Sequence, residues 1–315
     1  MALTRRHLLG AAVSAGVAAC ASAGDAATAR PQRLADGVWL LPGRPGLADA
    51  ANLGRIGNAG FIVGPSGVVA IDTGTSRAHG EAMLAAIRSV TDRPVRLALV
   101  THTRPEFLFG GNAFQAAGIP VVMHARTVKL MASRCETCLK QLQLSVGDAP
   151  MRGTSMYQAD RQFEAPFEVE GLGRTVRVLY FGHSSGPGDI AVHDAASGVV
   201  FCGGLADVHR IPDIQDSDLA GWHQALAALR ALGPRVVVPG HGAPAGPQAL
   251  DDVARYLSQL ESGARALVDR GVSLIDVNDA MPLTRYSDWE QYDTIHRRNA
   301  SIAYLRIERE QFFKP

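Results

Sequence analysis

The sequence predicts a layered α/β fold in which helices flank two sets of strands. Three observations lead there. Short apolar runs of strand length alternate with longer stretches of helical period. The 33 Gly and 17 Pro fall between those runs, which favours an architecture with many turns over a helical bundle. Hydrophobic residues make up 47% of the chain and charged residues 19%, the balance of a folded globular protein rather than a disordered one. With 31 Lys and Arg against 30 Asp and Glu the formal charge is +1, which argues against a dedicated nucleic-acid binder.

Taken in order, residues 38–41, 60–63 and 68–72 read as strands, 77–90 as an amphipathic helix and 95–101 as a nearly all-apolar strand. The pattern repeats with a helix at 107–117, a strand at 121–124 and a helix at 125–146 that carries two cysteines. A loop rich in Gly, Ser and Met follows at 148–161. Strands are expected near 167–169, 175–180, 190–193 and 199–202, then a helix at 219–232, a strand at 236–238 and helices from 247 onward. No stretch has the composition of a flexible linker, so 30–315 read as a single domain.

Residues 1–29 are set apart as an export segment. Arg5-Arg6 precede a weakly apolar run from 8 to 19, the arrangement of a twin-arginine signal; that run is too short for a transmembrane helix, which needs about 20 residues. Ala21-Ser22-Ala23 and Ala27-Thr28-Ala29 each fit a small-x-small cleavage site. Val17-Ala18-Ala19-Cys20 resembles a bacterial lipobox, which would make Cys20 a lipid anchor. A periplasmic location is expected. In that oxidising compartment Cys135 and Cys138 are expected to form a structural disulfide, leaving Cys202 as a buried thiol. A redox centre is the alternative, opposed by their place about ten residues into a helix, away from the N-terminus that would stabilise a thiolate.

The chemistry gathers where strands end. His102 follows one apolar strand, Gly182-His183 another, and Gly240-His241-Gly242 a third. One such histidine is usually structural; three, each flanked by turn residues, point to convergence on one rim of the sheets. His124, His193, His223 and His296 have only their residue type to recommend them and read as structural.

This arrangement resembles the metallo-β-lactamase superfamily of hydrolases. The resemblance runs over 38–241 and is carried by the Ile71-Asp72-Thr73-Gly74 turn, the loop at His102, Gly182-His183-Ser184, Cys202-Gly203-Gly204-Leu205 and Pro239-Gly240-His241-Gly242. It implies an αββα sandwich with a zinc site on one edge. The stretches RCETCLKQL and YDTIHRRNASIAYLRIE are similar to those of exported proteins associated with pyrroloquinoline-quinone dehydrogenase systems, which implies a periplasmic quinoprotein setting. By the same resemblance Asp72 braces the metal loop from behind, although a helix-leading turn is an equal reading.

The family's first loop reads His-x-His-x-Asp-His, and here those positions are His102, Arg104, Glu106 and Phe107. The later ligand positions fall on His183, on Gly204 where a bridging Asp or Cys would stand, and on His241. Arg104 carries no lone pair and stays protonated, so it repels a dication. Phe107 is apolar, whereas Glu106 still offers a carboxylate that can coordinate or act as a base. Asp207 and His209 lie near enough in sequence to act as surrogate ligands, but a solvated loop is the favoured reading for both.

Three functions follow. The first is a hydrolase with at most one zinc held by His102, Glu106, His183 and His241, in which Glu106 and His241 serve catalysis on a small molecule. The second is a metal-free binding or accessory protein in which Arg104 holds a carboxylate or phosphate. The third is a redox role for Cys135 and Cys138.

Overall fold

The computed structural model describes residues 30–312; the expected export signal and Cys20 lie outside them. Two sheets face each other. The first has seven strands in chain order: β1 (Gln32–Ala35), β2 (Val38–Leu41), β3 (Ala59–Gly64), β4 (Gly67–Ile71), β5 (Val95–Leu99), β6 (Val121–His124) and β7 (Arg161–Phe163). Pairing is antiparallel as far as β4 and parallel from β4 to β7. The second sheet comprises β8 (Phe167–Glu168), β9 (Val176–Tyr180), β10 (Ile190–Asp194), β11 (Val199–Gly203) and β12 (Val236–Pro239). It is antiparallel except for the β11–β12 pair.

Strand alternation builds the layers. Val69 and Ile71 of β4 join Val199 and Phe201 of β11 in a core between the sheets. Their neighbours Val68 and Ala70 face helices on one outer side, and Val200 and Cys202 face helices on the other. The order is therefore helices, sheet, sheet, helices, the αββα sandwich. Helices α1 (Arg77–Val90), α2 (Pro105–Leu108), α3 (Gly111–Ala116), α4 (Ala125–Val146) and α5 (Asp148–Met151) belong to the first half of the chain. The second half holds α6 (Leu219–Ala231), α7 (Gln248–Asp269), α8 (Val277–Ala280) and α9 (Arg297–Phe312).

Local chemistry explains most boundaries. Ser76 caps α1 by accepting from the His79 N–H at 3.2 Å, and Asp218 caps α6 by accepting from Gly221 N–H at 3.1 Å. The single helix expected at 107–117 is instead two short ones. Thr73 takes the carbonyls that a continuous helix would use: its N–H and hydroxyl donate to Phe107 O at 2.8 and 3.0 Å, and the hydroxyl also reaches Leu108 O at 2.8 Å. Phe107 is thereby fixed above the turn that follows β4.

The C-terminal helices brace one loop. Asn299 of α9, fully buried, donates to Pro212 O at 2.7 Å and accepts from Ile214 N–H at 3.2 Å. Arg306 donates to Ile214 O and Gln215 O, both at 3.0 Å, and Arg298 pairs with Asp213 at 2.5 Å. Loop 212–217 forms part of the cavity described next.

Candidate functional site

Strand ends from both sheets meet at one rim. Asp72, at the end of β4, takes a left-handed backbone with φ 60° and is buried. Its carboxylate accepts from the Thr101 N–H at 2.8 Å and from the Thr101 hydroxyl at 2.9 and 3.0 Å. The Thr101 oxygen in turn lies 2.7 Å from His102 Nδ1. With the single hydroxyl proton given to Asp72, His102 Nδ1–H donates to Thr101, so Nε2 carries the lone pair. Burial, with the Arg104 charge adding to it, holds His102 neutral by pushing it down to about 3. Burial also drives the Asp72 carboxyl up to about 7, against the Thr101 hydrogen bonds. His102 Nε2 is buried without a hydrogen-bond partner among the described residues.

His241 is built in the opposite way. Its Nδ1 lies 2.8 Å from Asp207 Oδ1, which also accepts the His241 backbone N–H at 2.8 Å, and its Nε2 lies 2.9 Å from Glu106 Oε1. Burial disfavours charge on the ring, yet the two carboxylates outweigh it and raise the His241 pKa. Both carboxyls overcome their own burial penalty through this ring and sit at about 2. The arrangement is an imidazolium clamped between two carboxylates, with both nitrogens acting as donors. Asn58 ties the loop down, donating to Pro239 O at 2.9 Å and Gly242 O at 2.7 Å.

Phe107 separates the two histidines. Its ring centroid is 4.3 Å from that of His102 and 5.2 Å from that of His241. A Cβ at Gly57 would lie 2.5 Å from the Phe107 ring, so that glycine leaves the space the ring occupies. At Gly204 a Cβ would lie 2.7 Å from Asp189 Oδ2 and 2.9 Å from His102 Cδ2. Asp189, which leads into β10 and accepts from the Ser185 hydroxyl at 2.6 Å, thus fills space that a bridging side chain at 204 would take. Burial pushes the Asp189 carboxyl up to about 6.

These residues open onto a cavity of about 250 Å³ whose wall includes Arg104, Arg134, Asp213 and Asp216. Most of its charges are matched. Arg134 donates to Asp216 Oδ2 at 2.6 Å, Asp213 pairs with Arg298, and Glu106 holds His241. Arg104 differs: among the described residues the structure places no hydrogen-bond or ion-pair partner on its guanidinium. Burial works against its charge, but Asp213, Asp207, Glu106 and Asp189 lie near enough to raise its pKa.

The expected zinc ligands do not assemble. His183 points elsewhere, its Nε2 lying 2.6 Å from Asp216 O, and it lines a neighbouring cavity with Ser217 and Arg306. His241 has spent both nitrogens, which leaves Glu106 as a partner of His241 and His102 Nε2 as the one orphaned donor atom. Among the described residues no group of three or more His, Cys, Asp or Glu side chains is placed to hold a metal ion. The donor set present therefore does not fit zinc, which wants at least three protein ligands.

Two further expectations change. Asp207, expected in a solvated loop, is 5% exposed and anchors His241, because its chain leaves β11 and turns back under the β12 loop. His209 is exposed, with its ring 6.3 Å from Trp289. Cys135 and Cys138, expected to be bridged, are free thiols, since α4 runs through both without the local distortion that a bridge was expected to need. Their cavity-facing position was not legible in the sequence. Asp189 and Ser185 were also missed, although the turn-rich run after His183 marks their loop. Of the remaining histidines, His124 stacks on Tyr180 at 3.9 Å, His223 pairs with Glu261, and His296 bonds Tyr256 and Met281. His193 is buried in β10.

Comparison with known proteins agrees with this frame. A linear primary-alkylsulfatase from Pseudomonas sp. is 25% identical over 228 residues, covering 62% of this chain and 43% of that protein. The chain thus spans less than half the length of that relative. The solved metallo-beta-lactamase from Pontibacter korlensis superposes with a TM-score of 0.60 at 21% identity, over 73% of this chain and 98% of that one. A metallo-beta-lactamase from Hirschia baltica gives 0.58 at 21% identity with the same coverage. At such identities the structures show the fold. The model of the metallo-beta-lactamase superfamily matches residues 52–241, and the chain belongs to that superfamily of hydrolase fold.

Proposed function

We propose that this chain is a remodelled, metal-independent member of its superfamily, whose cavity binds a small anionic molecule on Arg104. The observation that carries the proposal is the Arg104 guanidinium, set in a cavity where the other cation, Arg134, already has a carboxylate partner in Asp216. Guanidinium presents a planar fork of donors suited to a carboxylate, phosphate or sulfate. The Asp213, Asp207, Glu106 and Asp189 carboxylates keep it charged without occupying it, and they disfavour ligands bearing more than one anionic group near the fork. The name of the alkylsulfatase relative makes an organic sulfate one candidate. The twin-arginine segment and the resemblance of residues 134–142 and 292–308 support a periplasmic accessory role beside a quinoprotein dehydrogenase.

One observation favours the alternative of a hydrolase with a single metal: the buried, unpartnered His102 Nε2 is the kind of atom a metal satisfies. It lacks two further donors in this arrangement. Calorimetric titration of the chelator-treated protein with inorganic sulfate, phosphate and a short alkyl sulfate separates the readings. Saturable binding that Arg104→Ala weakens by at least about tenfold, equal to about 1.4 kcal/mol, supports the anion site. Binding that appears only after zinc is restored contradicts it.

A further inference from the structure

The cavity that holds Arg104 has a second chemical feature among its lining residues. Cys135 and Cys138 of α4 both line it, together with Arg134. The intervening Glu136 and Thr137 are exposed, and Glu136 pairs outward with Lys140 at 3.0 Å, so this turn of the helix sets its sulfurs on the cavity and the Glu136–Lys140 pair in solvent. The two thiols differ in access. Cys135 is 1% exposed and packed among the apolar residues beneath the first sheet, whereas Cys138 is only half-buried at that core's margin.

We propose that Cys138 and Cys135 form a dithiol centre that reduces small disulfides admitted to this cavity, with Cys138 as the attacking sulfur and Cys135 as the resolving one. The proposal does not rest on anion binding by Arg104. In the first step the Cys138 thiolate attacks one sulfur of RS–SR, a new Cys138–S–S–R bond forms, and RS⁻ departs. In the second, Cys135 gives its proton to that departing thiolate and attacks the Cys138 sulfur. The second RS⁻ leaves and is protonated by solvent. Two electrons pass from the dithiol to the small disulfide, and the protein is left with a Cys135–Cys138 bond.

The geometry permits each step. On a regular helix residues three apart have Cα atoms about 5 Å apart, within the range a disulfide spans, so closure needs local adjustment rather than loss of α4. The Cys135 thiol hydrogen-bonds to the Cys138 sulfur, and this bond, aided by Arg134 and opposed by burial and Glu106, brings Cys138 down to about 7. The same bond, together with burial, raises Cys135 and keeps it protonated until its neighbour has reacted. The pair is mid-helix, so this stabilisation comes from the Cys135 thiol, the Cys138 backbone N–H and the Arg134 charge and not from a helix terminus.

The test uses the full chain, reduced and then freed of reductant, with hydroxyethyl disulfide as probe and intact and peptide mass as readout. The wild-type protein is expected to lose two hydrogen masses within the 135–138 peptide and to release two equivalents of thiol. Cys135→Ser should trap one probe adduct on Cys138, and Cys138→Ser should react at least about tenfold more slowly than Cys135→Ser. Independently of either variant, brief alkylation of the folded wild-type protein should label Cys138 ahead of Cys135 and Cys202. Adducts formed first on Cys135, or a Cys138 no faster than a free cysteine derivative at the same pH, would overturn the proposal.

Discussion

The two histidine loops at the rim of the sandwich start from the same local design, an apolar strand ending in a turn, and finish with opposite chemistry. His241 is charged, held at both nitrogens and tied through Asn58 to the start of β3. His102 is neutral, held at one nitrogen through Thr101 and Asp72, and its other nitrogen has no hydrogen-bond partner among the described residues. Arg104 and Cys138 stand with His102 on the cavity wall. The difference separates the work of the two sides: one fixes loops by a closed ionic cluster, while the other keeps unused binding capacity facing a cavity.

Breaking the closed side should have the largest effect. Replacing His241 with alanine leaves Asp207 and Glu106 buried and facing one another, and loss of one partner of a buried charge pair costs about 3–5 kcal/mol. Urea denaturation at neutral pH should show a loss of at least about 3 kcal/mol, and a loss below about 1 would mean that the cluster is not ionised.

The two sides should next differ in the sign of their pH dependence. Asp207 and Glu106 are held at about 2, below their ordinary values, so their contribution is present above about pH 4 and is lost as pH falls toward 2. Asp189 runs the other way. Raised by burial from 3.8 to about 6, it contributes fully below about pH 4 and loses that contribution as pH rises through 6. Asp189→Asn should therefore be near neutral at pH 4.5 and stabilising by about 2 kcal/mol at pH 8 relative to the wild type. Equal effects at both pH values would show that Asp189 is ionised throughout.

Smaller effects sharpen the contrast. Arg104→Ala should change stability by less than about 1 kcal/mol while weakening anion binding, because its guanidinium makes no hydrogen bond to the described residues. Lys140→Ala, on the solvent side of α4, should cost no more than about 0.5 kcal/mol, as expected for an exposed pair one helical turn apart. A thermal scan of both variants checks the pair.

What the sequence discloses of this molecule follows the range of the interactions involved. Helix α1 is legible from its own residues, since Ser76 caps it and its apolar positions recur at helical spacing. The sandwich is legible from alternation in β4 and β11 and from the order of the turn motifs. Helix 107–117 is misread because Thr73, more than thirty positions earlier, captures the carbonyls that would continue it. The fate of each histidine is hidden for the same reason. His241 finds Asp207 and Glu106 only once loops from both sheets meet, and His183 turns toward Asp216 O because the 212–217 loop is held by α9. Substitution of the metal loop at Arg104 and Phe107 is visible in the sequence, but its replacement by a different closed network is not.

The central claim, that His241 serves as a clamped imidazolium and not as a metal donor, is tested most directly by long-range proton–nitrogen NMR of its imidazole at neutral pH before and after excess zinc. Both ring nitrogens should be protonated, and zinc should leave their signals in place. Release of a proton from His241, with stoichiometric zinc uptake by the folded protein, would contradict it.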